Sequence, residues 1–186
     1  MADGTLKVGT ITTSSGSGTI TLGQSGETLA LGSGVTSKFN QPAFEARLSS
    51  DTTISDDTFT KISVDEEVFD TDNCYDNSTN YRFTPTVAGK YFVYWVACGI
   101  ANSNNVINSN GFIYKNGSIY NGASILGNSA ISGGSTSATA IIDFNGSTDY
   151  VEFYLKVDAA SGTVKVDHDF SGGNTTYAGA YRLGVE

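Results

Sequence analysis

The sequence predicts an all-β chain, a sandwich or jelly roll of antiparallel strands preceded by an extended polar segment. Three observations carry this prediction. Gly, Ser and Thr, 22 of each, fill 66 of the 186 positions, a composition that disfavours helix and suits short strands joined by tight turns. Ten Phe and ten Tyr, with many Val and Ile, are too much apolar material for a disordered chain. The apolar residues of the C-terminal half also alternate with polar ones at period two, the spacing of a half-buried strand. A formal net charge of -9 with only 10 basic residues argues against nucleic acid as a partner, which needs clustered cations. No run approaches the roughly 18 apolar residues of a membrane-spanning helix.

In chain order, residues 1–38 come first and contain 22 of the Gly, Ser and Thr residues, four charges that cancel (Asp3, Lys7, Glu27 and Lys38) and no aromatic ring. Phe39 is the first ring, and the net charge belongs to residues 39–186, the length of one ordinary domain. Within the first segment the pattern Thr-(Leu/Ile)-x-(Val/Leu)-Gly occurs at Thr5–Gly9, Thr19–Gly23 and Thr28–Gly32. Each copy offers two apolar side chains on one face of a short strand: Leu6 and Val8, Ile20 and Leu22, Leu29 and Leu31. Two side chains cannot bury a core within one chain, so such strands need a neighbouring chain or another protein. A flexible Gly/Ser linker is the competing reading, but a linker has no use for repeated Leu, Ile and Val.

The domain opens its clear strands later. Val151, Phe153, Leu155 and Val157 alternate with Tyr150, Glu152, Tyr154 and Lys156; Val164, Val166, His168 and Phe170 alternate with Thr163, Lys165, Asp167 and Asp169. Asn116-Gly117, between Phe112–Lys115 and Ser118–Tyr120, signals a two-residue hairpin, because a type I′ turn needs positive φ at both central positions. The stretch Tyr91-Phe92-Val93-Tyr94-Trp95-Val96-Ala97-Cys98 breaks the alternation by being apolar on both faces. A two-sheet sandwich buries one row of such a strand in its own core, so the other row needs cover. With no crossover helices in this composition, another subunit is the expected cover, loops of the same chain being the alternative.

From about Gln41 to the C-terminus the chain resembles a C1q-like domain, the jelly-roll family that shares its architecture with tumour necrosis factor. Gln41-Pro42-Ala43-Phe44-Glu45-Ala46-Arg47-Leu48 is similar to the family's first strand, and Phe59–Ile62 with Val68-Phe69-Asp70 is similar to the family's next segments. Tyr75-Asp76-Asn77-Ser78-Thr79-Asn80-Tyr81-Arg82-Phe83 with Gly89-Lys90-Tyr91-Phe92-Val93 after it resembles the family's Tyr-Asp-x-Ser-Thr-Gly-x-Phe-x(5)-Gly-x-Tyr-x-Phe. Lys115-Asn116-Gly117, Asp149-Tyr150-Val151 and Thr176–Tyr181 resemble its hairpin, its Gly-Asp-x-Val and its closing strand. The departures are one residue inserted before Phe83, Val93 in place of Phe, and a lengthened turn at Asn145–Thr148. The resemblance implies a homotrimer with Tyr91, Val93, Trp95 and Tyr177 at its interface and core. Residues 1–38 are not a collagen stalk, lacking Pro and a Gly at every third position. They look more like attachment segments of bacteriophage fibres and decoration proteins, with Leu6, Val8, Ile20, Leu22, Leu29 and Leu31 as the attaching side chains.

The candidate chemistry is sparse. No Ser-His-Asp set, P-loop, HExxH or zinc spacing is present, and the single histidine, His168, sits on the apolar row of its strand, so an enzyme is not expected. Nine acids between Asp51 and Asp76 face one cation, Lys61, an oxygen-rich stretch that raises Ca2+ as a cofactor beside the simpler reading of a solvated, repulsive surface. Cys74 and Cys98 are read as free thiols, a bridge being the minority reading. Tyr114, Tyr120, Tyr150 and Tyr154 offer aromatic faces to a sugar or protein receptor. The N-terminus has neither a basic region nor an apolar one, so no secretory signal is expected. Together these readings predict a trimeric virion surface protein, a decoration or short fibre made in a host cytoplasm and joined to capsid or tail through residues 1–38. A receptor-binding, lectin-like module is the alternative.

Overall fold

The computed structural model describes residues 8, 10–13, 18–28, 30, 32–34, 41–102, 105–170 and 172–183. The chain divides into two compact units, Met1–Phe39 and Asn40–Glu186. In the first unit no described residue belongs to a strand. Its turn at Ser25 and Gly26 is closed by Glu27 N donating to Gln24 O at 3.0 Å, with Glu27 Oε2 accepting from Gln24 N at 2.6 Å. Val8, Ile20 and Leu22 are exposed, at 53%, 43% and 62%. A short strand with two apolar side chains has neither a ladder partner nor a core to bury them in. Leu6, Leu29 and Leu31 lie outside the described residues.

The second unit is a sandwich of two antiparallel sheets, and no described residue of the chain is helical. Its strands are β1 (Ala43–Arg47), β2 (Thr52–Ile54), β3 (Thr60–Lys61), β4 (Glu66–Asp70), β5 (Tyr75–Asp76), β6 (Arg82–Phe83), β7 (Gly89–Ala101), β8 (Val106–Lys115), β9 (Ser118–Ile131), β10 (Gly133–Phe144), β11 (Val151–Ala159), β12 (Val164–Asp167), β13 (Asp169–Phe170), β14 (Gly173–Asn174) and β15 (Tyr177–Arg182). The first sheet is built around β7. One edge of β7 pairs with β10 from Gly89 to Ile100; the other is shared between β15, which covers Tyr91 to Val96, and β12 beyond it. Outward from β15 come β1 and then β4, and outward from β12 comes β2. The second sheet runs β5-β6-β11-β8-β9, with β3 also on β11. The chain passes from β9 in the second sheet to β10 in the first across Ser132 alone.

The hairpin between β8 and β9 turns at Asn116 and Gly117, with φ of 51° and 78°. Both values suit a type I′ turn, and glycine reaches the second without a Cβ penalty. The Asn116 side chain also ties this turn to the next one: its Nδ2 donates to Asp149 Oδ1 at 2.8 Å and its Oδ1 accepts from Tyr150 N at 2.9 Å.

Between the sheets lies one aromatic core. Phe44 stacks on Tyr75 and Phe83, with ring centroids 4.3 and 4.7 Å away, and Trp95 packs against Phe153 at 5.3 Å. The buried polar tips are satisfied: Trp95 Nε1 donates to Tyr154 O at 3.0 Å, and the Tyr75 hydroxyl to Val64 O at 2.8 Å. Burial pushes the Tyr75 hydroxyl far above the ordinary tyrosine range. The alternation expected for β11 is present, with Val151, Phe153, Leu155 and Val157 fully buried.

That expected for residues 164–170 is not. Val164 and Val166 are buried, but so is Asp167, and His168 stands half-exposed outside the strand. The cause is local hydrogen bonding. Thr176 Oγ1 donates to Asp167 O at 2.6 Å, and His168 is drawn outward to Asp51, its Nδ1 lying 2.8 Å from Oδ1. The histidine is therefore a surface partner of an acid, not the core or interface imidazole that its position in the pattern suggested. Each member shifts the other: His168 holds Asp51 below the ordinary carboxylate range, and Asp51 raises His168.

Candidate assembly face

Strand β7 shows how the two apolar rows are used. Tyr91, Val93, Trp95 and Ala97 point into the sandwich and are fully buried within one chain. Phe92, Tyr94 and Val96 form the opposite row on the outside of the first sheet, half-buried. The register sets neighbours on both sides of each: Phe92 lies between Ile141 and Tyr181, Tyr94 between Thr139 and Gly179, Val96 between Ser137 and Tyr177. Phe92 is 5.4 Å from Tyr181 and Tyr94 is 6.3 Å from Tyr177, centroid to centroid. Ile141 and Tyr181 remain 57% and 48% exposed.

One polar contact organises this face. The Tyr94 hydroxyl donates to Glu45 Oε2 at 2.8 Å across Gly179, which stands between them in the sheet. Burial first, and the Glu45 carboxylate second, push the Tyr94 hydroxyl well above the ordinary range. Glu45 also lies 3.6 Å from Arg47 Nη2. The arrangement is an aromatic stripe with one fixed carboxylate: it can pack against a second apolar surface and offers no nucleophile–base pair.

Of the four residues that the sequence placed at interface and core together, Tyr91, Val93 and Trp95 occupy the core and Tyr177 lies on this outer face. The residues that complete the face, Phe92, Tyr94, Val96, Ile141 and Tyr181, were legible only as the other row of the same strand and its neighbours.

The acid-rich stretch is used locally. Asp76 accepts from the backbone N–H of Ser78, Thr79 and Asn80 at 3.1, 2.8 and 3.0 Å, and these bonds hold it far below the ordinary carboxylate range. Asp70 accepts from Tyr75 N at 2.7 Å, Asp65 from Ser49 N at 2.9 Å and Asp56 from Ala159 N at 2.8 Å. These carboxylates staple loops to strands. Among the described residues no three His, Cys, Asp or Glu side chains converge to hold a metal ion. Cys74 and Cys98 are free and buried, and burial raises both thiols.

On the second sheet Tyr114 and Tyr154 stack on each other, centroids 3.9 Å apart, and the Arg82 guanidinium sits 4.6 Å over the Tyr150 ring. Tyr120 lies apart from them on β9, its hydroxyl donating to Ile141 O at 3.2 Å.

No family model and no curated protein matches the sequence. Solved structures do match the fold. A crystal structure of murine APRIL at pH 5.0 superposes with a TM-score of 0.55 at 9% identity, covering 77% of this chain and all of that one. Eiger TNF from S. frugiperda superposes at 0.51 and 10% identity, covering 77% of this chain and 92% of its own. The fold is a tumour necrosis factor-like jelly roll. At these identities the likeness speaks for architecture, and function has to be argued from the face itself.

Proposed function

We propose that the chain is a structural protein of a bacteriophage virion, a homotrimeric surface decoration or short fibre. The observation that carries the trimer is the outer row Phe92, Tyr94 and Val96, with Ile141, Tyr177 and Tyr181 beside it. Such a stripe gains from burial against copies of itself, at about 25 cal/mol per Å2 of apolar surface, and a closed threefold ring uses one surface three times. Residues 1–38 are the attachment segment. Its described large apolar side chains, Val8, Ile11, Ile20 and Leu22, are exposed and free to bury against one another in three aligned copies or against a capsid or tail protein. The net charge of -9 supports a solvated, displayed domain and sets nucleic acid aside as a partner.

The test of assembly is sedimentation of wild type and Ile141→Glu at micromolar concentration. Wild type is expected as a trimer and the variant as a folded 19.5 kDa monomer, since a charge at this 57% exposed position costs nothing until the faces meet. A monomeric wild type would refute the reading. Truncation of residues 1–38 is expected to leave a soluble trimer that no longer joins purified particles, and absence of the full chain from every particle would exclude the virion role.

A second reading has its own observation. The paired Tyr114 and Tyr154 on the opposite sheet make an outward aromatic platform, which suits a receptor-binding, lectin-like role; binding of the truncated trimer to host cells would favour it.

A further inference from the structure

The outer face of the first sheet does not end at Val96. Beyond it, Cys98 and Ile100 continue the row, flanked by Ser135 and Gly133 on β10 and by Asp167 and Lys165 on β12. On β10 the two residues beside them on this face, Gly133 and Ser135, are small and leave this end of it bare. The result is a cavity of about 530 Å3, within the range of small-molecule pockets. Its lining is largely apolar and brings Cys98, Ile100 and Ala101 together with Asp167 and Thr175.

Asp167 is the informative member. It is 7% exposed, and a buried carboxylate ordinarily comes with a cation. Among the described residues no Lys, Arg or His forms an ion pair with it. Its side chain accepts one hydrogen bond, from Thr175 Oγ1 to Oδ2 at 3.0 Å. That bond needs no charge, because an asparagine oxygen would accept it equally well. Its charged surroundings are mostly of its own sign: Asp51 and Asp169 raise it and His168 lowers it, but His168 is already engaged with Asp51. Asp167 thus lines a largely apolar pocket with no described cation in an ion pair with it.

We propose that this pocket binds a small organic ammonium ion with an apolar body, its cationic head on the Asp167 carboxylate and its body against Ile100, Ala101 and Cys98. Charge complementarity selects the head: a neutral ligand leaves the buried carboxylate unpaired, and an anion meets it directly. The cavity's size and lining select the body, about that of a single ring. The site continues the row of the aromatic stripe past Val96 but is lined by none of the stripe's residues, so the inference does not rest on trimer formation.

Calorimetric titration with benzylammonium chloride at pH 7, against benzyl alcohol as its neutral counterpart, tests it on the full chain. Benzylammonium is expected to saturate one site per chain, at least about tenfold tighter than the alcohol, the margin of a charge-assisted hydrogen bond. Asp167→Asn should erase that margin while leaving the alcohol's affinity unchanged. Ser135→Phe, an exposed position that places a ring over the cavity, should remove binding of both. Binding of the cation should weaken as pH falls and Asp167 takes up a proton, because burial has raised its titration. No saturable heat, equal affinities for cation and alcohol, or an Asp167→Asn protein that binds benzylammonium as wild type does would each overturn the proposal. Sedimentation of the same samples reads assembly independently, so failure of one reading is distinguishable from failure of the other.

Discussion

Gly179→Ala probes the proposed assembly face with a single methyl group. Gly179 has ordinary strand geometry, so its lack of a Cβ serves space, not conformation. A Cβ built there falls within the Tyr94 ring, against Cζ and the hydroxyl. The obstruction is the body of a ring lying flat across the strand, so the whole side chain has to leave. In leaving, it loses the 2.8 Å hydrogen bond to Glu45. A bond to a charged acceptor contributes about 1.5–3 kcal/mol, and the lower end applies because the Glu45 side chain is 27% exposed. Lost packing of the ring adds about 1 kcal/mol. Against this, Gly→Ala restricts the unfolded chain and returns about 0.4–1 kcal/mol. The losses win, and the net destabilisation is about 2 kcal/mol. Urea denaturation at fixed protomer concentration measures it, with Tyr94→Phe alongside to isolate the hydroxyl at about 1.5 kcal/mol. In a Tyr94→Ala background the methyl has room, so the cost of Gly179→Ala should fall to a few tenths of a kcal/mol, a coupling that only contacting residues show. The displaced ring also projects from the stripe, so sedimentation of Gly179→Ala should show a larger dissociated fraction than Tyr94→Phe. Unchanged stability, or an undiminished cost in the Tyr94→Ala background, would refute the argument.

Two further expectations concern the rest of the domain. Asn116→Ala removes the two side-chain bonds from the β8–β9 turn to Asp149 and Tyr150, keeps the backbone bond from Asn116 N to Tyr150 O, and leaves alanine at a φ of 51°; a loss of about 2 kcal/mol with an unchanged denaturant slope is expected. The Asp51–His168 pair makes stability depend on pH in a defined window. His168 is raised by Asp51, so its contribution is complete below the unfolded value near 6.5 and fades as pH rises through the folded one. Asp51 is lowered, so its contribution holds above 3.8 and fades as pH falls below it. His168→Gln should therefore lower the melting temperature most between roughly pH 4 and 6.5 and hardly at all at pH 9; an equal loss at every pH would show the contact to be simple packing.

Much of the fold was legible because it obeys period two. β11 alternates over its whole length, the Asn-Gly turn announces the β8–β9 hairpin, and the doubly apolar β7 marks the centre of a sheet with something to cover on both sides. β10 was not legible. Its inward row is Thr136, Ala138, Ala140, Ile142 and Phe144, small residues for most of its length, because it packs opposite the large side chains of β7. Residues 167 and 168 read as continued alternation, because hydroxyl bonds from Thr175 and Thr176 leave no trace in local hydrophobicity. The buried Asp167, and with it the pocket, appears only once β7, β10 and β12 are side by side.

Which row of β7 faces inward was not legible for a different reason. Tyr-Val-Trp-Ala and Phe-Tyr-Val-Cys are nearly equal in apolar surface, so the strand by itself does not say which row faces in. The partner strand decides. In β15, Tyr177-Ala178-Gly179-Ala180-Tyr181 alternates large and small, and placing large side chains inward puts Tyr177 in the core. The sandwich interior has a fixed volume at crystal-like density, and Tyr91 and Trp95 already fill this part of it with Phe83, Phe144 and Phe153. Only Ala178 and Ala180 fit beside them, both buried, in register with Trp95 and Val93. The tyrosines of β15 are thereby turned outward to flank Phe92, Tyr94 and Val96. A core crowded by large rings thus exports its excess aromatic surface to the outside of the sheet, and filling the interior with the odd row of β7 is the same event that creates the outer aromatic stripe from the even one.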